Sequence, residues 1–90
     1  MSVTVVIPHF WGYLVNGVKE VDVDCRTIGE CLTALTEHFP QLNDLLFDKK
    51  GRLHGFIDIT VNEKSAYPDE LNKPVNDGDK VFIANIIAGG

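Results

Sequence analysis

Two rhythms of hydrophobic and polar residues run along this chain, one of period two and one of helical period. The β-branched stretch SVTVVIP closes at Pro8 and predicts a strand over Val3–Ile7. Asn16-Gly17 is a strong turn signal, and in VKEVDVD the valines Val21 and Val23 alternate with charges, as a second strand requires. The rhythm then changes. Thr27-Ile28-Gly29-Glu30 has the form of a capping box, and Ile28, Leu32, Leu35 and Phe39 fall on one helical face, with Glu30 and Glu37 off it. Pro40 stops that helix, LNDLLF supplies a short further turn, and DKKGR reads as a polar loop.

Alternation returns in FIDITVN. Ile57, Ile59 and Val61 share one face, and Phe56, Asp58 and Thr60 the other. Glu63 to Val75 is polar and turn-rich, with room for one short strand or helical turn at best. Asn76-Asp77-Gly78-Asp79 forms a tight turn that feeds a last strand, KVFIANII. No repeat, low-complexity segment or linker interrupts this order.

Two strands, one amphipathic helix and two or more further strands make an α+β fold, in which one helix covers one face of one mixed sheet. The first and last strands are the most continuously apolar, as central strands under a helix are. That is the layout of a ubiquitin-like β-grasp, although order alone leaves other α+β rolls open. The expected core is Val5, Ile7, Val21, Val23, Ile28, Leu32, Leu35, Phe39, Ile57, Ile59, Val61, Val81 and Ile83. By parity Phe56 and Phe82 fall on the uncovered face, where two aromatics suggest a docking patch. The expected division is a β-grasp domain over 1–84 and an extended tail over 85–90.

Composition narrows the function. A chain of 90 residues carrying a net charge of −5 favours neither nucleic acid nor an anionic membrane, since both reward clustered Lys and Arg. No apolar run reaches membrane-spanning length, and the N-terminus lacks the pattern of a signal peptide. A cytoplasmic location is expected. Cys25 and Cys31, six apart and flanking the start of the predicted helix, would point to different sides of a helix, so neither a redox pair nor a zinc site follows, and they read as two buried or half-buried thiols in a reducing compartment.

Catalytic motifs fail one by one. Gly12 to Lys19 resembles a phosphate-binding loop, but Val18 stands where that loop needs its Lys. Asp22-Val23-Asp24 opens like a calcium loop and then supplies Arg26. His9, His38 and His54 lie on different elements at no metal-ligand spacing, so no metal site is expected. The chain shows no catalytic apparatus of its own.

What is left is the end of the chain. VNDGDKVFIANIIAGG, with its Asp77-Gly78-Asp79 turn, Val81, Ile83 and terminal Gly89-Gly90, resembles the C-terminus of the ubiquitin-like sulfur carriers of the MoaD/ThiS family. ITVN, from Ile59 to Asn62, is similar to that family's other recognisable strand. GRLHGF, with Thr27-Ile28-Gly29 upstream, is most similar to the branch serving cysteine and related sulfur metabolites. Family tails often carry Pro ahead of the last apolar residues, where this chain has Asn85 and Ile86.

The resemblance implies a protein cosubstrate rather than an enzyme. A terminal carboxylate is an anion at neutral pH and a poor electrophile. In this family a ubiquitin-activating-like partner enzyme uses ATP to adenylate it, and a sulfur donor then leaves a thiocarboxylate on the last glycine, here Gly90. A sulfur-accepting synthase takes the sulfide. Glycine has no Cβ to block attack, and its backbone suits a narrow tunnel. The chemistry falls to the carboxylate and not to a cysteine thiol. Phe56, Phe82, Ile86, Ile87, Ala88 and Gly89 are the expected partner-binding residues, and no bound cofactor is expected. Three other classes remain: the small subunit of molybdopterin synthase, in molybdenum cofactor biosynthesis; a ubiquitin-like modifier joined through Gly90 to lysines; and a plain binding module with an idle tail.

Overall fold

Valine and isoleucine at alternate positions give the four longer strands their buried side chains. A computed structural model describes residues 1–86. It contains β1 (Ser2–Val6), β2 (Glu20–Asp24), α1 (Ile28–His38), the short α2 (Asn43–Leu46), β3 (Ile57–Val61), β4 (Lys64–Ser65) and β5 (Lys80–Asn85). A 3₁₀ segment of two turns occupies His9–Leu14, and single 3₁₀ turns occupy Pro40–Leu42 and Glu70–Asn72. The strands form one five-stranded sheet in the order β2-β1-β5-β3-β4. β5 runs parallel to β1, with Val5 beside Val81, and antiparallel to β3, with Ile59 beside Ile83. One face of this mixed sheet lies under α1 and the other is open, the expected ubiquitin-like β-grasp.

Parity separates the two faces. Val3, Val5, Val23, Ile57, Ile59, Val81 and Ile83 are buried beneath the helix, and Ile28, Leu32 and Leu35 of α1 come down on them. Val21, Phe39 and Val61, expected in the core, are only half-buried at its margin. Val21 lies on the outermost strand, Val61 ends β3 and Phe39 caps α1, so each has neighbours on fewer sides. β5 runs to Asn85, which pairs with Ile57. The strand thus takes the first residue of the segment expected as tail, because its pairing with β3 continues.

The helix starts as its capping box requires, with one difference. The Thr27 hydroxyl accepts from the Glu30 amide at 3.2 Å, while the Glu30 carboxylate accepts from the Arg26 amide at 2.9 Å, one residue outside the usual reciprocal partner. Gly29 in that first turn is sterically required. A Cβ there would stand 2.9 Å from the Leu71 carbonyl oxygen, so only glycine lets the 3₁₀ turn at Glu70–Asn72 lie against α1.

The cysteines overturn an expectation. Cys25 and Cys31 form a disulfide, with Cα atoms 5.2 Å apart, and both are buried. Helical projection had separated them, but Cys25 lies beyond the end of β2 and is not on the helix. The chain reverses between strand and helix and carries Cys25 back over the first turn of α1. The segment at His9–Leu14, given no element by its pattern, also contributes to the core through Trp11, with Val15 just after it.

The end of the molecule where β5 begins is held by carboxylates. The Asp79 carboxylate accepts from the Asn76 amide at 2.8 Å and from Asn62 Nδ2 at 2.8 Å, and the Asn62 side-chain oxygen accepts from the Lys80 amide at 3.1 Å. Asp77 accepts from the Ser2 amide at 2.7 Å, and the Gly78 amide donates to the Ser2 carbonyl at 2.8 Å. Gly78 has a φ of +86°, a left-handed conformation that glycine adopts without strain. The amide of Asn76 first, and the Asn62 side chain second, hold the Asp79 carboxyl below its ordinary pKa.

Two expectations follow. A disulfide closing a loop this short stabilises by about 2 kcal/mol on chain-entropy grounds. Thiol titration in denaturant without reductant should find neither cysteine free, and reduction should lower the unfolding free energy by about that amount; two titratable thiols would contradict the bridge. Because the folded-state pKa of Asp79 is depressed, its contribution is present above the unfolded carboxylate value and lost as pH falls through the folded one. Asp79→Asn should therefore be less stable than the parent at neutral pH, and the difference should shrink below about pH 4. A constant difference from pH 7 to pH 2 in urea melts would contradict that role.

Candidate functional site

The open face of the sheet and the root of the tail are where the sequence-derived site residues can be located. β5 is flanked on both sides, so its outward side chains stand in the middle of that face. Phe82 is one of them. It lies beside Val6 of β1 and Thr60 of β3 and remains 38% exposed. Ala84 follows on the same face, beside Asp58. An aromatic ring held there by a central strand is rigid and partly dehydrated, as an interface anchor must be.

Next to Phe82 the connection between β1 and β2 folds over the sheet and leaves a groove of about 490 Å³. Val6, Pro8, Gly12, Val18 and Lys19 line it together with Phe82. Sequence reasoning missed this wall. Val18 was read as the start of a strand and as a mismatch to a phosphate-binding loop, and no alternation marks His9–Leu14. Phe10 and Tyr13 of that turn are exposed, so the apolar character of this end extends beyond Phe82.

Phe56 has the predicted parity but is not brought onto Phe82. It precedes β3 and lies level with Ile86, four residues along β5 from Phe82, or roughly 13 Å at strand spacing. Its ring stacks on that of His54, with centroids 4.7 Å apart and planes at 15°. Its carbonyl accepts a hydrogen bond from the Ile86 amide at 2.6 Å. Phe56 and Ile86, both exposed, therefore mark the root of the tail. His54 and the exposed Tyr67 help to line a depression of about 500 Å³ beside Ile86. Ile87, Ala88, Gly89 and Gly90 lie outside the described residues.

The Asp77-Gly78-Asp79 turn stands at the other end of β5, a strand length away. Together with Asn62 it sets where β5 begins and takes no part in the open face. Among the described residues no group of His, Cys, Asp and Glu side chains is placed to hold a metal ion. No helix of the described residues is long and apolar enough to cross a membrane.

Known proteins share this fold. The chain is 29% identical over 76 residues to a protein of Archaeoglobus fulgidus provisionally named a sulfur carrier protein, covering 83% of this chain and 86% of that one. Among solved structures it is similar to a chain of the BexX/CysO complex of Amycolatopsis orientalis, with a TM-score of 0.86 and 29% identity over 98% of this chain and 99% of that one. CysO of Mycobacterium tuberculosis is 30% identical with a TM-score of 0.83, over 94% of this chain and 99% of that one. SAMP1 of Haloferax volcanii superposes over the full length of both chains with a TM-score of 0.85 at 25% identity. The family model described as the ThiS family matches residues 12–90, and the chain belongs to that family of ubiquitin-like sulfur carriers.

Proposed function

We propose that this protein is a sulfur carrier whose Gly90 carboxylate is adenylated by a partner enzyme and converted to a thiocarboxylate. The single observation that carries this reading is the family match running through residue 90. The sheet supports it physically, because its central strand, β5, leads straight into the tail. The carboxylate attacks the α-phosphate of ATP, forming the acyl-adenylate and releasing pyrophosphate. Hydrosulfide then attacks the acyl carbon, the C–O bond to AMP breaks, and the thiocarboxylate remains on Gly90. A synthase downstream accepts the sulfide into cysteine or another sulfur metabolite.

In this reading Phe82 and its groove dock the activating enzyme, while Phe56, Ile86, Ile87, Ala88 and Gly89 guide the tail into that enzyme's site. An enzyme surface carrying positive charge suits a carrier of net charge −5. The site of action is the cytoplasm, where ATP is available. Disulfides are rare in that compartment; burial of Cys25 and Cys31 shields theirs from exchange with small thiols. A second reading, conjugation of Gly90 to lysines, draws support from the similarity to SAMP1, which is a small archaeal modifier protein. It uses the same adenylation step and differs only in the nucleophile.

The test is ATP–pyrophosphate exchange catalysed by the activating enzyme and driven by this chain. Wild type should support exchange. Deletion of Gly90 should abolish it, since even small misplacements of a reacting group cost orders of magnitude. Phe82→Ala should raise KM about tenfold or more, as loss of an interface anchor does, with kcat little changed. Exchange that persists without Gly90 would contradict the reading, and an unchanged KM would remove Phe82 from the docking face.

A further inference from the structure

His54 makes contacts that neither the core nor the docking groove requires. It is half-buried in the connection between α2 and β3. Its amide donates to the Leu46 carbonyl at 2.9 Å, and its carbonyl accepts from the Ile57 amide at 3.0 Å, so its backbone is tied to the end of α2 and the start of β3. Its ring is fixed twice. Nε2 lies 3.0 Å from the Asp44 carbonyl oxygen; a carbonyl can only accept, so Nε2 is the donor. The flat of the ring covers that of Phe56 at 4.7 Å.

Phe56 is also the residue that holds the tail. Its carbonyl receives the Ile86 amide at 2.6 Å, the most C-terminal backbone hydrogen bond among the described residues. A continuous path therefore runs from Asp44 in α2 through the His54 ring to Phe56 and on to Ile86. A swing of the Phe56 peptide breaks the bond to Ile86, and the stacked histidine resists that swing.

We propose that His54 is a positioning residue for the tail: held by Asp44, its ring fixes Phe56 so that the Phe56 carbonyl sets the direction in which the chain leaves β5. Its consequence for activity rests on the sulfur-carrier reading given above. A change in the direction in which the chain leaves β5 at Ile86 redirects whatever follows it, and even small misplacements of a reacting carboxylate cost orders of magnitude while the docking face stays as it was.

Amide hydrogen exchange on the full ¹⁵N-labelled chain tests this without any partner. In the wild type the Ile86 amide should be protected. His54→Ala should lower that protection about tenfold, the scale of one backbone hydrogen bond, while the amides of Val81 and Ile83 change less than about twofold. His54→Phe keeps a ring over Phe56 and should recover part of the protection; it also serves as the test if the alanine variant does not fold. In pyrophosphate exchange His54→Ala should lower kcat about tenfold at unchanged KM, the reverse of Phe82→Ala. An unprotected Ile86 amide in the wild type would overturn the proposal, as would protection unmoved in the folded variants or a change in KM alone. Loss of Ile86 protection in a chain whose wild type drives no exchange would leave the positioning role standing and refute the sulfur-carrier reading instead.

Discussion

The register of β5 is the constraint on which the rest depends. This strand must pair parallel with β1 and antiparallel with β3 at once, and its side chains have a period of two. A slip of one residue would turn Val81 and Ile83 out to solvent and drive Phe82 under α1. Asp79 and Asn62 oppose that slip by tying the turn before β5 to the residue after β3, and Ser2 ties the same turn to the start of β1. Register at one end of the strand thus decides which residues are presented along it and where its other end releases the tail. The fold and the proposed chemistry share a single element.

The Asp77-Gly78-Asp79 signature is therefore structural in its immediate effect. It helps to identify the family, yet its carboxylates satisfy backbone and side-chain amides far from the tail. A recognisable motif need not be a reactive one. Here the motif is legible because few residue types can make the turn. Gly78 accepts a positive φ, and Asp79 has the two acceptor oxygens that Asn76 and Asn62 both require.

Elements with a strong period were legible, and elements set by tertiary contact were not. Val3–Ile7, Ile57–Val61 and Ile28–Phe39 carry their own rhythm, so the strands, the helix and the buried face could be read directly. His9–Leu14 carries none, and Trp11 is buried only because the β1–β2 connection folds back on the sheet. The Cys25–Cys31 bridge was hidden because helical projection does not describe a chain that reverses between strand and helix. In the site, parity placed Phe56 and Phe82 on the open face. It could not show that they stand roughly 13 Å apart along the strand, or that Val18 walls the groove beside Phe82. Nor could it find His54, whose importance depends on a carbonyl in α2 ten residues earlier in the chain.

Mass analysis of the C-terminal peptide after incubation with the activating enzyme, ATP and sulfide tests the central claim most directly. The account predicts one oxygen replaced by one sulfur on Gly90, only when ATP is present, with both cysteines unmodified. Sulfur found on Cys25 or Cys31 with Gly90 unchanged would contradict it.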